Sequence, residues 1–194
     1  MLFKKNQLTW IIVGLGNPGN SYAHTRHNCG FDAVDALAAQ LHAPIIKKRC
    51  KALVAEAKIK GVRVILAKPQ TFMNISGEAV SELKRWYKAQ DENILLLYDD
   101  IDLPCGTLRI RKNGSAGTHN GMRSVVQYLG STEFPRIRIG VGRPENAADL
   151  VNYVLQKPFG EDAEKVAQCI TRAAQAAQAV VEQDLDLAMR TYNG

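Results

Sequence analysis

Two short blocks of the chain are apolar almost without interruption, TWIIVG (9–14) and NILLLYDD (93–100). Each reads as a buried strand, and the second ends in acids. ALVAEAKI (52–59) and VRVILAKP (62–69) are strand-like too, and the two residues between them, Lys60-Gly61, predict an antiparallel hairpin. TLRIRK (107–112) and RIRIGVG (136–142) alternate apolar and polar positions. Helical spacing appears at Phe31, Val34, Leu37, Ala38 and Leu41, at Val80, Leu83 and Tyr87 within residues 76–89, and in GMRSVVQYL (121–129). From residue 161 to about 192, Val166, Ile170, Ala173, Ala177 and Val181 predict one alanine-rich packing helix. Residues 143–159 begin and end near prolines and carry a short amphipathic stretch (Leu150, Val151, Val154, Leu155) suited to a lid over a cleft.

A hairpin inside an otherwise alternating order of strands and helices predicts an α/β fold. We expect a single domain over residues 1–194, with a twisted mixed β-sheet and helices on both faces. With 194 residues, 46% of them hydrophobic, the chain can bury a sizeable core unaided, and its apolar runs are too short to span a bilayer. The opening MLFKKNQL has no sustained apolar stretch and no small-residue cleavage site, so no secretory signal is expected. Cys29, Cys50, Cys105 and Cys169 form no C-x-x-C pair, which suits reduced thiols and a cytoplasmic location. A formal net charge of +6 leaves a basic excess. It gathers at Lys47, Lys48, Arg49 and Lys51, and along Arg109, Arg111, Lys112, Arg136, Arg138 and Arg143. A solvated basic face and a track for a polyanion fit this distribution equally.

Gly14, Gly16 and Gly19 satisfy G-x-G-x-x-G just after a strand, the spacing of a dinucleotide-binding loop and hence of an oxidoreductase. The context opposes that reading. Pro18 removes an N–H inside the motif, the following NSYAHTRHN is polar and aperiodic, and Asp32 and Asp35 fall in a helical pattern instead of ending a second strand. Taken as a turn, Asn17-Pro18-Gly19 reverses the chain at a strand end and offers the Asn17 amide to a crevice. His27 falls just before a helix, whose positive end disfavours imidazolium and keeps the ring available as a base. His24 and His27 are also spaced as two metal ligands, without a third residue to complete a signature.

Three further stretches carry polar residues into turns. KPQTFMNISG (68–77) sets Asn74 or Ser76 as a helix cap, YDDIDLPCGTLRIR (98–111) sets Asp99, Asp100 and Asp102 at a strand end, and GSAGTHNG (114–121) leads into His119 and Asn120. The acids suit either a divalent ion or solvent.

Together, GLGNPG…TRHN, KPQTFMNISG, DDIDLPCG and GSAGTHNG, in this order and spacing, resemble the bacterial-type peptidyl-tRNA hydrolase family from about Ile11 to about Phe159. The resemblance implies a monomeric, metal-independent and cofactor-free esterase acting on peptidyl-tRNA, with no membrane partner. It would cleave the ester between a peptide's carboxyl group and the 3'-terminal ribose of tRNA. His27 then matches the general base and Asp99 its carboxylate partner. Asn17 matches an amide near the scissile carbonyl, Asn74 and Asn120 residues that position peptide or water, and Tyr22, Met73 and His119 the lining of the cleft. Arg111 and Arg138 match a basic pair for a tRNA phosphate. Thr118 departs from the family's usual glycine. The alternative implied by the same scaffold is a non-catalytic RNA-binding relative, against which His27, Asp99, Asn17 and Asn74 speak.

Overall fold

A computed structural model describes residues 8–193. Its centre is a seven-stranded mixed sheet in the order β2-β3-β4-β1-β5-β7-β6. The strands are β1 (Thr9–Gly14), β2 (Lys47–Arg49), β3 (Ala52–Ile59), β4 (Val62–Pro69), β5 (Ile94–Asp100), β6 (Leu108–Arg111) and β7 (Arg136–Gly140). The helices are α1 (Cys29–Gln40), α2 (Ser76–Tyr87), α3 (Asn120–Leu129), α4 (Leu150–Leu155), α5 (Glu161–Glu182) and α6 (Leu185–Tyr192).

The four inner strands β4, β1, β5 and β7 run parallel, and helices cover them on both sides. This explains the unbroken apolar runs, since successive side chains point to opposite faces and both faces are buried. Ile12, Leu95 and Leu97 pack with Val34, Leu37 and the small side chains Ala173 and Ala177, beneath α1 and α5. Ile11, Val13, Ile94 and Leu96 pack with Val80, Leu83, Met122 and Val125, beneath α2 and α3. The expected hairpin is present as β3–β4. Lys60 and Gly61 both take positive φ, 45° and 82°, the pattern of a two-residue turn that matches strand twist. The predicted α/β fold with a mixed sheet and helices on both faces is the observed one.

Two elements differ from expectation. The cluster Lys47, Lys48 and Arg49 forms β2, a short basic edge strand, and lysines on an edge oppose pairing with a second chain. The C-terminal helix is two helices. Gln183 leaves helical geometry, and the Asp184 side chain accepts from Leu187 N at 2.6 Å, capping a new start. The turn lays α6 along the opposite edge of the sheet. There Asn193 Oδ1 accepts from Ile110 N (2.6 Å) and its Nδ2 donates to Ile110 O (3.2 Å), as a neighbouring strand would. Among the described residues, no helix is long and apolar enough to cross a membrane.

The chain leaving β1 enters α1 on one face, whereas the chain leaving β5 first forms the edge strand β6 and only then α3 on the other face. The divergence opens a crevice at the C-terminal ends of the parallel strands, where α/β sheets place ligands. It also requires α1 to start against the end of β1. A Cβ on Gly14 would lie 2.1 Å from Gly30 O, and one on Gly30 would lie 2.3 Å from Leu97 O. Of the spaced glycines, Gly14 thus serves backbone-on-backbone packing, Gly16 makes room for the Phe31 ring, and Gly19 takes a φ of 102° in open space. Gly30→Ala should lower stability by about 1–3 kcal/mol, the usual cost of overpacking, seen as a lower urea midpoint. An unchanged midpoint would mean that this contact is not tight.

Candidate active site

The loop after β1 is held by an exchange between two asparagines. Asn28, buried in a short 3₁₀ turn (Arg26–Asn28), accepts from Asn17 N through Oδ1 (2.8 Å) and donates to Asn17 O through Nδ2 (2.9 Å). The Asn17 side chain accepts from Met73 N at 2.8 Å, tying the loop after β1 to the turn after β4. Because Oδ1 is thus occupied, the amide cannot flip without losing a buried bond. Nδ2 is left as the one Asn17 donor without a protein partner among the described residues.

From the adjacent strand, β5, the Asp99 carboxylate receives two histidines. His27 Nδ1 lies 2.9 and 3.0 Å from its two oxygens, and His119 Nε2 lies 2.9 Å from Oδ1. The tautomers follow from the partners. His119 is the N-cap of α3, and its Nδ1 accepts from Met122 N at 3.1 Å, so its proton sits on Nε2 and points to Asp99. His27 places its proton on Nδ1 against the same carboxylate, and its Nε2 keeps a lone pair. Asp99 is 2% exposed. Burial pushes its pKa up, but the two histidines reverse this and hold the carboxyl well below the usual carboxylate range. Burial likewise pulls His27 down, yet the Asp99 charge and hydrogen bond outweigh it and raise its pKa above the ordinary 6.5. The helix end was expected to act in the other direction; the carboxylate overrides it.

The ligand atoms of His27, Asp99 and His119 lie within 4.8 Å of one another, as three metal ligands would. The α3 cap opposes that use. An imidazole bound to a metal through Nε2 carries its proton on Nδ1, where Met122 N–H already points. The three groups fit a hydrogen-bonded relay better than a metal centre. His24 takes no part: it is mostly exposed and turns to Asp32, 3.2 Å away, so the His24/His27 ligand pair is not formed. The other two acids of the 98–111 stretch also find cations, Asp100 pairing with Arg138 and Asp102 with Arg143, so they assemble no ion site.

These groups open on a pocket of about 690 Å³. It is lined by Asn17, His27, Met73, Asn74, Asp99, Arg111, Thr118, His119, Asn120 and Arg138, all singled out in the sequence. Tyr22 is not in the lining; its ring meets the edge of Phe72 at a centroid separation of 6.5 Å, and Phe72 lines the pocket. Neither Asn74 nor Ser76 caps α2. A 3₁₀ turn (Met73–Ile75) precedes the helix, Ile75 occupies the cap position, and the Ser76 hydroxyl donates to Met73 O at 2.9 Å. The Asn74 side chain is therefore free of that duty and exposed at the pocket. Leu150, Val151, Val154 and Leu155 all line the pocket, from α4 and on the side away from Asn74 in the chain's order.

Sequence reasoning missed three residues. Arg136 was grouped with the surface arginines, but it is 1% exposed. It donates to the carbonyls of Gly114 (2.6 Å), Ser115 (3.1 Å), Thr132 (2.9 Å) and Phe134 (3.2 Å), which fixes the small-residue loop leading to His119. Arg26 and Asn28 flank His27 in TRHN and are buried, whereas His27 is partly exposed to the pocket. No periodicity marks a 3₁₀ turn, so only their closeness to His27 hinted at a role.

The family model described as peptidyl-tRNA hydrolase matches residues 11–194. The chain belongs to that family. It is 52% identical to the peptidyl-tRNA hydrolase of Alkaliphilus metalliredigens, over 95% of this chain and 100% of that protein. It is 50% identical to that of Chloroflexus aggregans, over 95% and 98%. Its fold superposes on the crystal structure of peptidyl-tRNA hydrolase from Acinetobacter baumannii with a TM-score of 0.90 and 33% identity, covering 96% of this chain and 95% of that one. A peptidyl-tRNA hydrolase crystallised with N-propanol gives 0.91 and 32%, covering 97% and 96%. Within the peptidyl-tRNA hydrolase fold of this chain, Asn28→Ala leaves the N–H and C=O of Asn17 buried without partners. It should cost about 2 kcal/mol or more in urea unfolding, and an unchanged midpoint would show the exchange to be dispensable.

Proposed function

We propose that this member of the peptidyl-tRNA hydrolase family hydrolyses the ester joining a peptide, or an N-blocked aminoacyl group, to the 3'-terminal ribose of tRNA. The observation that carries the reading is the His27 ring held through Nδ1 by Asp99, with Nε2 free of a protein partner among the described residues, in the same pocket as the free Nδ2 of Asn17. His27 Nε2 takes a proton from water as the water oxygen attacks the ester carbonyl. Asp99 stabilises the resulting imidazolium, and the Asn17 amide donates to the oxyanion. Collapse breaks the bond to the ribose oxygen, which takes the proton back from His27. The products are a peptide carboxylic acid and a tRNA with a free 3'-hydroxyl. Each proton has a carrier in the chain, so the reaction needs no metal or cofactor.

Asn74 and Asn120, exposed at the pocket, position the peptide or the water. Met73, packed under the pocket, supports the acyl group, and Tyr22 acts on the same wall through Phe72. His119 holds the second side of Asp99. Arg111 and Arg138 are assigned to a tRNA phosphate, a contact that positions the nucleic acid without reading its sequence. Arg111 is exposed with no ion-pair partner among the described residues, whereas Arg138 shares its charge with Asp100. We further assign a cytoplasmic, monomeric enzyme, a reading supported by four cysteines without a disulfide and by a sheet whose two edges are each protected.

The test is release of tRNA from N-acetylaminoacyl-tRNA. His27→Ala should reduce kcat about 10²- to 10⁴-fold, the range for loss of a general base. In the intact protein, activity should be lost as pH falls through a His27 pKa above 6.5, because the protonated ring cannot accept. Asp99→Asn removes the raising charge and leaves burial to act alone, so the acid limb should move to lower pH while kcat falls. Retained activity in His27→Ala, or an unmoved limb in Asp99→Asn, would contradict the assignment.

A further inference from the structure

The arginine beside the base is placed to hold the pocket's apolar wall. Arg26 is 2% exposed, yet it belongs to a three-residue turn at the surface of the sheet's C-terminal end. Every bond its side chain makes goes to residues 153–162. Nη1 donates to the carbonyls of Tyr153 (3.4 Å), Gln156 (3.4 Å) and Lys157 (3.2 Å), and Nη2 lies 3.5 Å from Asp162 Oδ2. The guanidinium stacks over the Tyr153 ring at 4.0 Å. The Arg26 backbone N–H donates to Gln156 O as well, at 3.0 Å. The Tyr153 hydroxyl in turn donates to Val141 O at 2.6 Å, past the end of β7.

Apart from the Asp162 ion pair with α5, the bonds from Arg26 gather at the C-terminal end of α4 and the two residues after it. That helix has six residues and none of them is buried, so neither its length nor a core stripe fixes its position. A cation on the last carbonyls of a helix satisfies acceptors that have no partner within it, and the planar fork of arginine reaches several at once. The same helix supplies Leu150, Val151, Val154 and Leu155 to the pocket. The chain therefore hangs the wall and the base on consecutive residues of one turn, Arg26 facing α4 and His27 facing Asp99.

We propose that Arg26 is a positioning residue that, through Tyr153 and the carbonyls after it, holds α4 against the acyl side of the bound substrate. The assignment rests on the ester hydrolysis proposed above. Held in place, α4 keeps apolar surface beside the acyl group and limits water to the His27 side. Released, it no longer offers that surface, and binding weakens although the base and its carboxylate are untouched.

Arg26→Lys keeps the charge but loses the fork and the stacked plane; Tyr153→Ala removes the plane from the other partner and perturbs α4 without touching the turn. In both, KM for N-acetyl-leucyl-tRNA should rise about tenfold, with kcat within about twofold of the parent protein. The acid limb of the kcat profile should stay in place, and hydrogen exchange at the amides of residues 150–157 should accelerate. If Arg26→Lys does not fold, Tyr153→Ala decides by the same readings. A folded variant with unchanged KM and unchanged exchange overturns the proposal. So does a fall in kcat with a displaced acid limb, which would put the effect on His27 instead of the wall. If the parent protein hydrolyses no ester, the functional reading fails separately, and the exchange rates still judge whether Arg26 anchors α4.

Discussion

A single buried carboxylate organises the site. Asp99 accepts from His27 and His119 together, and neither ring has another charged partner in the pocket. A carboxylate at 2% exposure is stable only if its charge is met, and two imidazole N–H groups meet it. In return it fixes both rings. His119 is locked from its far side by the backbone at Met122, so the orientation of Asp99 is set by the start of α3. His27 is then the remaining partner that can change its protonation without breaking the frame. Chemistry that needs a base with one defined lone pair follows from that asymmetry.

The fold delivers these groups by divergence. β1 and β5 lie side by side, and the helices that begin at His27 and His119, α1 and α3, cover opposite faces, so the two rings reach Asp99 from different elements. The geometry depends on close backbone approach where α1 begins, at Gly14 and Gly30. It depends equally on buried polar side chains that stand in for regular secondary structure. Asn28 joins the β1 loop to the turn carrying His27, Asn17 joins it to the turn after β4, and Arg136 holds the loop before His119. Backbone groups of the irregular crevice segments at Asn17, Gly114 and Ser115 thereby find partners that no strand or helix supplies.

Much of this was legible in the chain. Unbroken apolar runs predicted β1 and β5, Lys60-Gly61 the hairpin, and the family resemblance carried by the polar turns at His27, Asn74, Asp99 and His119 implied that they share one site. What escaped was the role of polar residues whose burial leaves no periodic trace. Arg136 and Arg138 alternate identically along β7, but one is a buried clamp and the other a partly exposed ion pair. Asn74 reads as a cap, and only the 3₁₀ turn ahead of α2 shows that the cap position falls elsewhere. The break at Asp184 is hidden because the helical spacing of apolar residues runs across it at Val181, Leu185 and Ala188, and a cap bond is a local decision. The glycines after β1 mimic a phosphate loop because close packing at Gly14 and Gly16 and a positive φ at Gly19 demand the absence of a Cβ as phosphate binding does.

Nitrogen-15 NMR of the histidine rings above the His27 pKa reads the pair of tautomers on Asp99. The expected spectrum has His27 protonated at Nδ1 with a bare Nε2, and His119 protonated at Nε2 with Nδ1 accepting from the backbone. A His27 ring protonated at Nε2, or a His119 ring protonated at Nδ1, would contradict it.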